Sequence, residues 1–206
     1  MPGPLDLASI TAAAVELLDE GGLPAVSTRK LAAKLGVSSP SLYWHVRDKA
    51  ALLDLVAEAI CADAFTVDPT LGWRDQLAEG LRQFRRMLLA HRDAAELLRL
   101  RPPTGPHRLR HIETTLRILS GAGFADEEAA GIARLLAAHV LNSVDDHRDP
   151  ASDPRPDEER RAAMREAMAA YPNLRRVGPA LVRQTGEELF ELGLEIVLAG
   201  LVARAR

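Results

Sequence analysis

The sequence predicts an all-α chain, divided into an N-terminal helix-turn-helix domain over 1–67 and a larger helical domain over 68–206. Three observations carry this reading. The composition is rich in Ala and Leu, only 4% aromatic, and free of long alternating β-branched runs, which favours helix over sheet. Apolar residues recur at three- and four-residue spacing between Gly, Pro and Asp breakers. Ala32, Gly36 and Leu42 fall at the small–glycine–apolar spacing of a helix-turn-helix.

The elements follow in order. A first helix is expected over Asp6–Glu20, with Leu7, Ile10, Ala14, Leu17 and Leu18 on one face and Gly21-Gly22 as its stop. Ser27 caps a second helix ending at Leu35, and Gly36-Val37-Ser38 makes a turn. A third helix opens on Ser39-Pro40 and ends near His45, since proline fits a first helical turn. Asp48 caps a fourth, apolar helix reaching Phe65, and Asp68–Gly72 reads as a linker. Further helices are expected over Trp73–His91, Asp93–Leu100, His107–Ser120 and Asp126–Val144. Residues 145–156 hold four aspartates and three prolines and are expected to be mobile. A weaker helix follows over Asp157–Ala170, closed by Tyr171-Pro172-Asn173, and the last helix runs over Pro179–Ala205. No internal repeat is visible.

The helix-turn-helix has a physical logic. Two steeply crossed helices need a small residue where they touch, and Ala32 supplies it. The turn needs a residue that tolerates positive φ, and Gly36 supplies that. Leu42 and Val37 pin the third helix inward, which leaves Ser39, Pro40, Ser41, Tyr43, Trp44 and His45 near the outer face. Hydroxyls bond base edges or phosphates, and apolar surfaces meet thymine methyls. Thr28, Arg29 and Lys49 stand at helix starts, where a side chain and backbone N–H groups meet phosphate together. The plainer alternative makes Tyr43 and Trp44 packing residues of a bundle.

Charge agrees with a local nucleic-acid face. The chain carries a formal net charge of −3, yet the stretch Ser27–Lys49 holds Arg29, Lys30, Lys34, Arg47 and Lys49 against the single acid Asp48. No run of about 18 uncharged apolar residues exists, so no membrane span is expected. The start Met1-Pro2-Gly3-Pro4-Leu5-Asp6 lacks a signal peptide's basic and apolar regions, which points to the cytoplasm. The single cysteine, Cys61, excludes an intramolecular disulfide and cysteine-rich zinc modules; it reads as a buried thiol or a redox sensor. No glycine-rich phosphate loop, nucleophile elbow or zinc-ligand pattern is present, so no enzyme activity and no cofactor are expected.

The runs Arg29–Val37, Pro40–Val46 and Lys49–Asp54 resemble the TetR family of repressors, closest to its tetracycline-repressor branch. The likeness continues through Phe84-Arg85-Arg86, Arg92-Asp93, Ile112-Glu113-Thr114, Gly123-Phe124 and Phe190–Leu194. It implies a homodimer whose N-terminal domains bind a palindromic double-stranded operator. The second domain then binds a small effector and dimerises. On matching positions, Thr28, Arg29, Ser39, Pro40, Ser41, Tyr43, Trp44, His45 and Lys49 would contact DNA. Ser39 departs from the longer amide of that branch, which implies a different operator preference. The branch's drug–magnesium contacts fall on Phe65, Gly80, Leu98 and Thr115, of which only Thr115 is polar. A hard cation wants oxygen or imidazole ligands. No metal site is therefore expected, and the effector is expected to be apolar or amphipathic, held by Phe65, Phe84, Leu98, Ile112, Thr115 and Leu116. A tetracycline-responsive repressor with other contacts, or a helical interaction module, remains as the alternative.

Three histidine readings stay open. His107 and His111 share a helix face, as surface residues or metal ligands. His139 reads as a satisfied core histidine or an effector contact, and His147 beside Asp145, Asp146 and Asp149 as part of a loop or a metal site. In the last helix Gly186, Gly193 and Gly200 repeat every seven residues, beside Leu189, Ile196, Val197 and Leu201. That stripe reads as a four-helix dimer interface with the Asp126–Val144 helix, or as packing within one subunit.

Overall fold

The computed structural model describes residues 5–62, 66–144 and 157–205, and every regular element among them is helical. Eleven helices are described: α1 Leu7–Gly21, α2 Thr28–Leu35, α3 Ser39–Tyr43, α4 Lys49–Ile60, α5 Trp73–Ala90, α6 Ala94–Leu100, α7 Pro106–Gly121, α8 Asp126–Ser143, α9 Asp157–Met168, α10 Pro172–Arg183 and α11 Gly186–Arg204. A 3-10 turn, Leu23–Ala25, joins α1 to α2.

Local chemistry sets the N-terminal boundaries. Asp6 accepts from the Ser9 amide at 2.8 Å and Ser9 returns a bond, a reciprocal cap on α1. Ser27 accepts from Lys30 at 3.2 Å, and Asp48 accepts from Ala51 at 2.8 Å. Gly36 ends α2 with φ 67° and ψ 27°, the left-handed conformation that costs glycine least.

One core runs through the molecule. The buried faces of α1 (Ile10, Ala14, Leu18) and α4 (Leu52, Val56, Ile60) join those of α5 (Leu77, Leu81), α6 (Leu97, Leu98), α8 (Leu136, Val140) and α11 (Phe190, Leu194, Leu198). Trp73 packs edge-on against Phe124 with ring centroids 6.0 Å apart, closing one end of α5. α9 and α10 pack against each other. No helix of the described residues is long and apolar enough to cross a membrane.

Four boundaries differ from the sequence reading. α3 closes at Tyr43, and Val46 still reaches back to the Leu42 carbonyl at 2.9 Å. α4 stops at Ile60, and downstream Gln83 brackets Thr66, accepting from its N–H and donating to its carbonyl, each at 2.7 Å. Pro172 starts a helix of its own, and Pro179 lies inside it rather than opening the last helix. That helix, α11, begins at Gly186, where Thr185 and Glu188 form a capping box. Phe65 and the segment 145–156, expected to be mobile, lie outside the described residues, as does His147.

Candidate nucleic-acid interface and internal cavity

Two buried anchors orient the recognition helix. Leu42 and Val46 are each 1% exposed and sit in the core, so α3 must turn its other faces outward. Ser39, Pro40, Ser41, Tyr43, Trp44 and His45 are all exposed; Trp44 is 90% exposed, with almost its whole indole in solvent. Apolar burial favours hiding an indole, so an exposed Trp beside an exposed Tyr marks a surface prepared for a partner. Arg29 and Lys49 are exposed at the starts of α2 and α4, and Thr28 is half-buried at the first position of α2. Ser38 and Ser41 share a hydroxyl bond of 2.8 Å, which stiffens the turn.

One expected cation is diverted. Lys34 pairs with Glu16 at 3.0 Å and Glu20 at 2.8 Å on α1, and these carboxylates hold its ammonium above the usual lysine range. Lys34 thus fastens α2 to α1, leaving Arg29, Lys30, Arg47 and Lys49 as exposed cations of this face with no ion pair among the described residues.

The second site is a cavity of about 400 Å³ between α5, α6, α7 and α8. Phe84, Leu98, Ile112, Thr115 and Leu116 line it, all expected from the sequence. Leu81, Arg108, Ala133, Arg134 and Leu136 also line it and were not expected. Ala133, Arg134 and Leu136 belong to α8, from which the sequence offered only His139 as a possible effector contact; the three-residue spacing of Ala130 and Ala133 was the available signal of an inward face.

His139 does not line this cavity. Its ring stacks on Phe190, centroids 5.4 Å apart, and its Nε2 donates to the Phe190 carbonyl at 3.0 Å. It is a satisfied histidine between α8 and α11. Gly193 faces the same ring: a Cβ there would collide with His139. The close approach at Gly193 is therefore made within the subunit, and Val197 likewise packs on its own core. The outward side of α11 differs. Leu189, Leu192 and Ile196 are exposed, Gly200 meets open space, and Leu135 of α8, which packs on α11, is also exposed. Gly186 opens the helix. A helix apolar on both faces, one of them buried, is short of a partner.

The two sites are tied through α4 and the end of α1. Asp54 accepts a bidentate pair from Arg101, Nε at 2.7 Å and a terminal nitrogen at 2.8 Å. Arg101's hydrogen bonds hold the Asp54 carboxyl below its ordinary value, outweighing burial. One turn later, Glu58 accepts the His107 amide and, at 3.4 Å, the Arg108 amide, capping α7 from outside. Asp93 accepts from the Leu23 amide at 2.9 Å, and Asp19 lies 3.0 Å from His91 Nδ1. Cys61, at the end of α4, is buried, and that burial pushes its thiol up to about 12, the inert form.

Comparison with known proteins fits both halves. Residues 10–56 match the model for bacterial regulatory proteins of the tetR family, and residues 67–205 match the tetracyclin repressor-like C-terminal domain. The chain is 41% identical to the tetracycline repressor protein class E of Escherichia coli over 143 residues, 68% of this chain and 67% of the relative. It superposes on Streptomyces coelicolor ActR in complex with actinorhodin with a TM-score of 0.86 at 34% identity, covering 98% of this chain and 99% of that one. It also superposes on BioQ with its double-stranded DNA operator, with a TM-score of 0.71 at 27% identity, covering 97% and 99%.

Proposed function

The chain belongs to the tetR family of bacterial regulatory proteins, and from that premise we propose that it is a dimeric repressor that binds a palindromic operator through α3 and is released by a small molecule entering the cavity. It acts by binding rather than catalysis, in the cytoplasm. The observation that carries this reading is the recognition helix, where Leu42 and Val46 are sunk in the core while Tyr43, Trp44 and His45 stand in solvent. Ser39, Pro40, Ser41, Tyr43, Trp44 and His45 then meet the major groove, and Thr28, Arg29 and Lys49 meet phosphates. The 1–67 segment reads DNA, and 68–206 senses and dimerises.

Two recognition helices reach successive major grooves only when about 34–36 Å apart. A ligand that binds a dimer of different spacing lowers DNA affinity by linkage. The exposed apolar stripe Leu135, Leu189, Leu192, Ile196 and Gly200 supplies the dimer face. The apolar lining supports an effector other than a magnesium chelate, since Leu98 offers no ligand atom for a hard cation and Gly80 has no side chain.

The test is selection of a randomised double-stranded library on the purified protein. Recovery of a palindromic consensus is expected, with binding that falls steeply as salt rises and is lost in Tyr43→Ala and Lys49→Ala. Recovery of no consensus rejects the reading and leaves a helical interaction module.

A further inference from the structure

The cavity is apolar on most of its wall, and its lining carries two arginines but no carboxylate. Leu81, Phe84, Leu98, Leu116 and Leu136 form the apolar part; Arg108 and Arg134 enter the lining, and no aspartate or glutamate does. The Arg108 guanidinium is half-buried and donates only to neutral carbonyls, those of Leu98 at 3.1 Å and Pro102 at 3.2 Å. Burial weakens its hold on its proton, and the nearby acids only partly offset this. Those acids are engaged elsewhere: Asp54 holds Arg101, and Glu58 caps α7. Arg134, exposed at the cavity's rim, has no ion-pair partner among the described residues. A partly desolvated cation whose neighbouring acids are engaged elsewhere raises the free energy of the empty site.

We propose that the cavity takes an organic anion, an apolar body bearing a carboxylate or comparably acidic oxygen that is attracted by the positive charge of Arg108 and Arg134. The proposal rests on the reading of this cavity as the effector site and narrows it to a ligand class. The volume, about 400 Å³, falls within the roughly 300–1,000 Å³ of small-molecule sites. The apolar wall takes the ligand's body, and the low dielectric that makes Arg108 costly strengthens its bond to an anion. A neutral or cationic analogue of equal shape leaves the charge uncompensated.

The test compares three isosteric probes on the DNA-free protein by calorimetry: 2-naphthoate, 2-naphthamide and 2-naphthylmethylammonium. The carboxylate is expected to bind about ten- to a hundredfold tighter than the amide, the advantage of a charge-assisted hydrogen bond, and the ammonium weakest. Arg134→Met, on the exposed rim, is expected to reduce that preference without changing the unfolding midpoint. Arg108→Gln should abolish most of it; because Arg108 also braces the α6–α7 connection, Arg134→Met is the deciding variant. Equal affinity for acid and amide, tighter binding of the ammonium, no binding of the carboxylate, or an unchanged preference in Arg134→Met each overturns the assignment. Operator selection is independent of these titrations. Its failure with the carboxylate preference intact would remove the regulatory reading and leave the anion site standing.

Discussion

Substituting Gly193 by alanine should change sign with the residue across from it. The new Cβ falls on the His139 ring, 2.9 Å from Nε2 and 3.1 Å from Nδ1, and α11 is too firmly packed at Leu194 and Phe190 to retreat. The ring must therefore swing out. That forfeits the bond to the Phe190 carbonyl, about 1 kcal/mol, and the stack on the Phe190 ring, about another 1 kcal/mol. Alanine returns about 1 kcal/mol of helix propensity. The net expectation is a loss of about 1 kcal/mol. In a His139→Ala background nothing stands in the way, so the same substitution should stabilise by about 1 kcal/mol, a coupling of about 2 kcal/mol. Urea unfolding of the four proteins at one fixed concentration measures this, since a dimer's midpoint depends on concentration. Stabilisation in both backgrounds, or additivity, would refute the account of why glycine stands at 193.

Other expectations bear on the interface, the joint and the dimer. With Trp73→Phe, Trp44 becomes the only indole, and saturating operator should shift or quench its emission; an unchanged spectrum places it outside the groove. Asp54 has a depressed folded pKa, so its pairing with Arg101 stabilises above the unfolded value near 3.8 and is lost as pH falls below it; Asp54→Asn should show a shallower acid decline in urea midpoint than the parent. Glu58→Ala should cost about 1–2 kcal/mol by uncapping α7, and a parental midpoint would mean the cap is idle. Ile196→Glu, on the exposed stripe, should yield monomers by light scattering, whereas an intact dimer would place the interface elsewhere. Cys61 should resist a thiol-exchange reagent at pH 8 until the protein unfolds, because its neutral thiol is both inert and shielded.

What the sequence disclosed followed the range of the forces involved. The reading helix was legible because its determinants are local: caps at Ser27 and Asp48, a left-handed turn at Gly36, and an anchor at Leu42 three residues into the helix. Five cavity residues were legible too, through the resemblance to the tetracycline-repressor branch. The end of α4 was not, and the bracketing of Thr66 by Gln83 that follows it spans seventeen residues. Pro179 misdirected the start of α11, although Thr185 and Glu188 held the capping-box signal. The glycine stripe misled most. A seven-residue repeat says that three residues share a side of a helix, not what lies against each; here one meets His139 of its own subunit and another meets open space. The arginines of the cavity were invisible for the same reason, since Arg108 and Arg134 are 26 residues apart and reach one cavity only through the packing of α7 on α8.

On the proposed function, the arrangement of α4 offers a molecule in that cavity a route to DNA. Asp54 and Glu58 lie one turn apart on one face of the helix, and both are held by a single connection, Arg101 to Arg108, through Arg101's guanidinium and the amides of His107 and Arg108. That connection carries Pro102, Pro103 and Pro106, whose fixed φ leaves it little slack. It also borders the cavity through Pro103 and Arg108. A ligand that draws the Arg108 side chain therefore pulls on a residue whose own amide rests on Glu58. With α4 gripped at two points by that connection, the displacement expected on this proposal is a tilt. Twelve residues make α4 about 18 Å long, so a tilt of about 5° moves its far end roughly 1.5 Å. That end is Asp48-Lys49, which follows the recognition helix directly. Groove contacts are hydrogen bonds that weaken steeply beyond about 3.2 Å, so a shift of this size in each half of a dimer is enough to favour release.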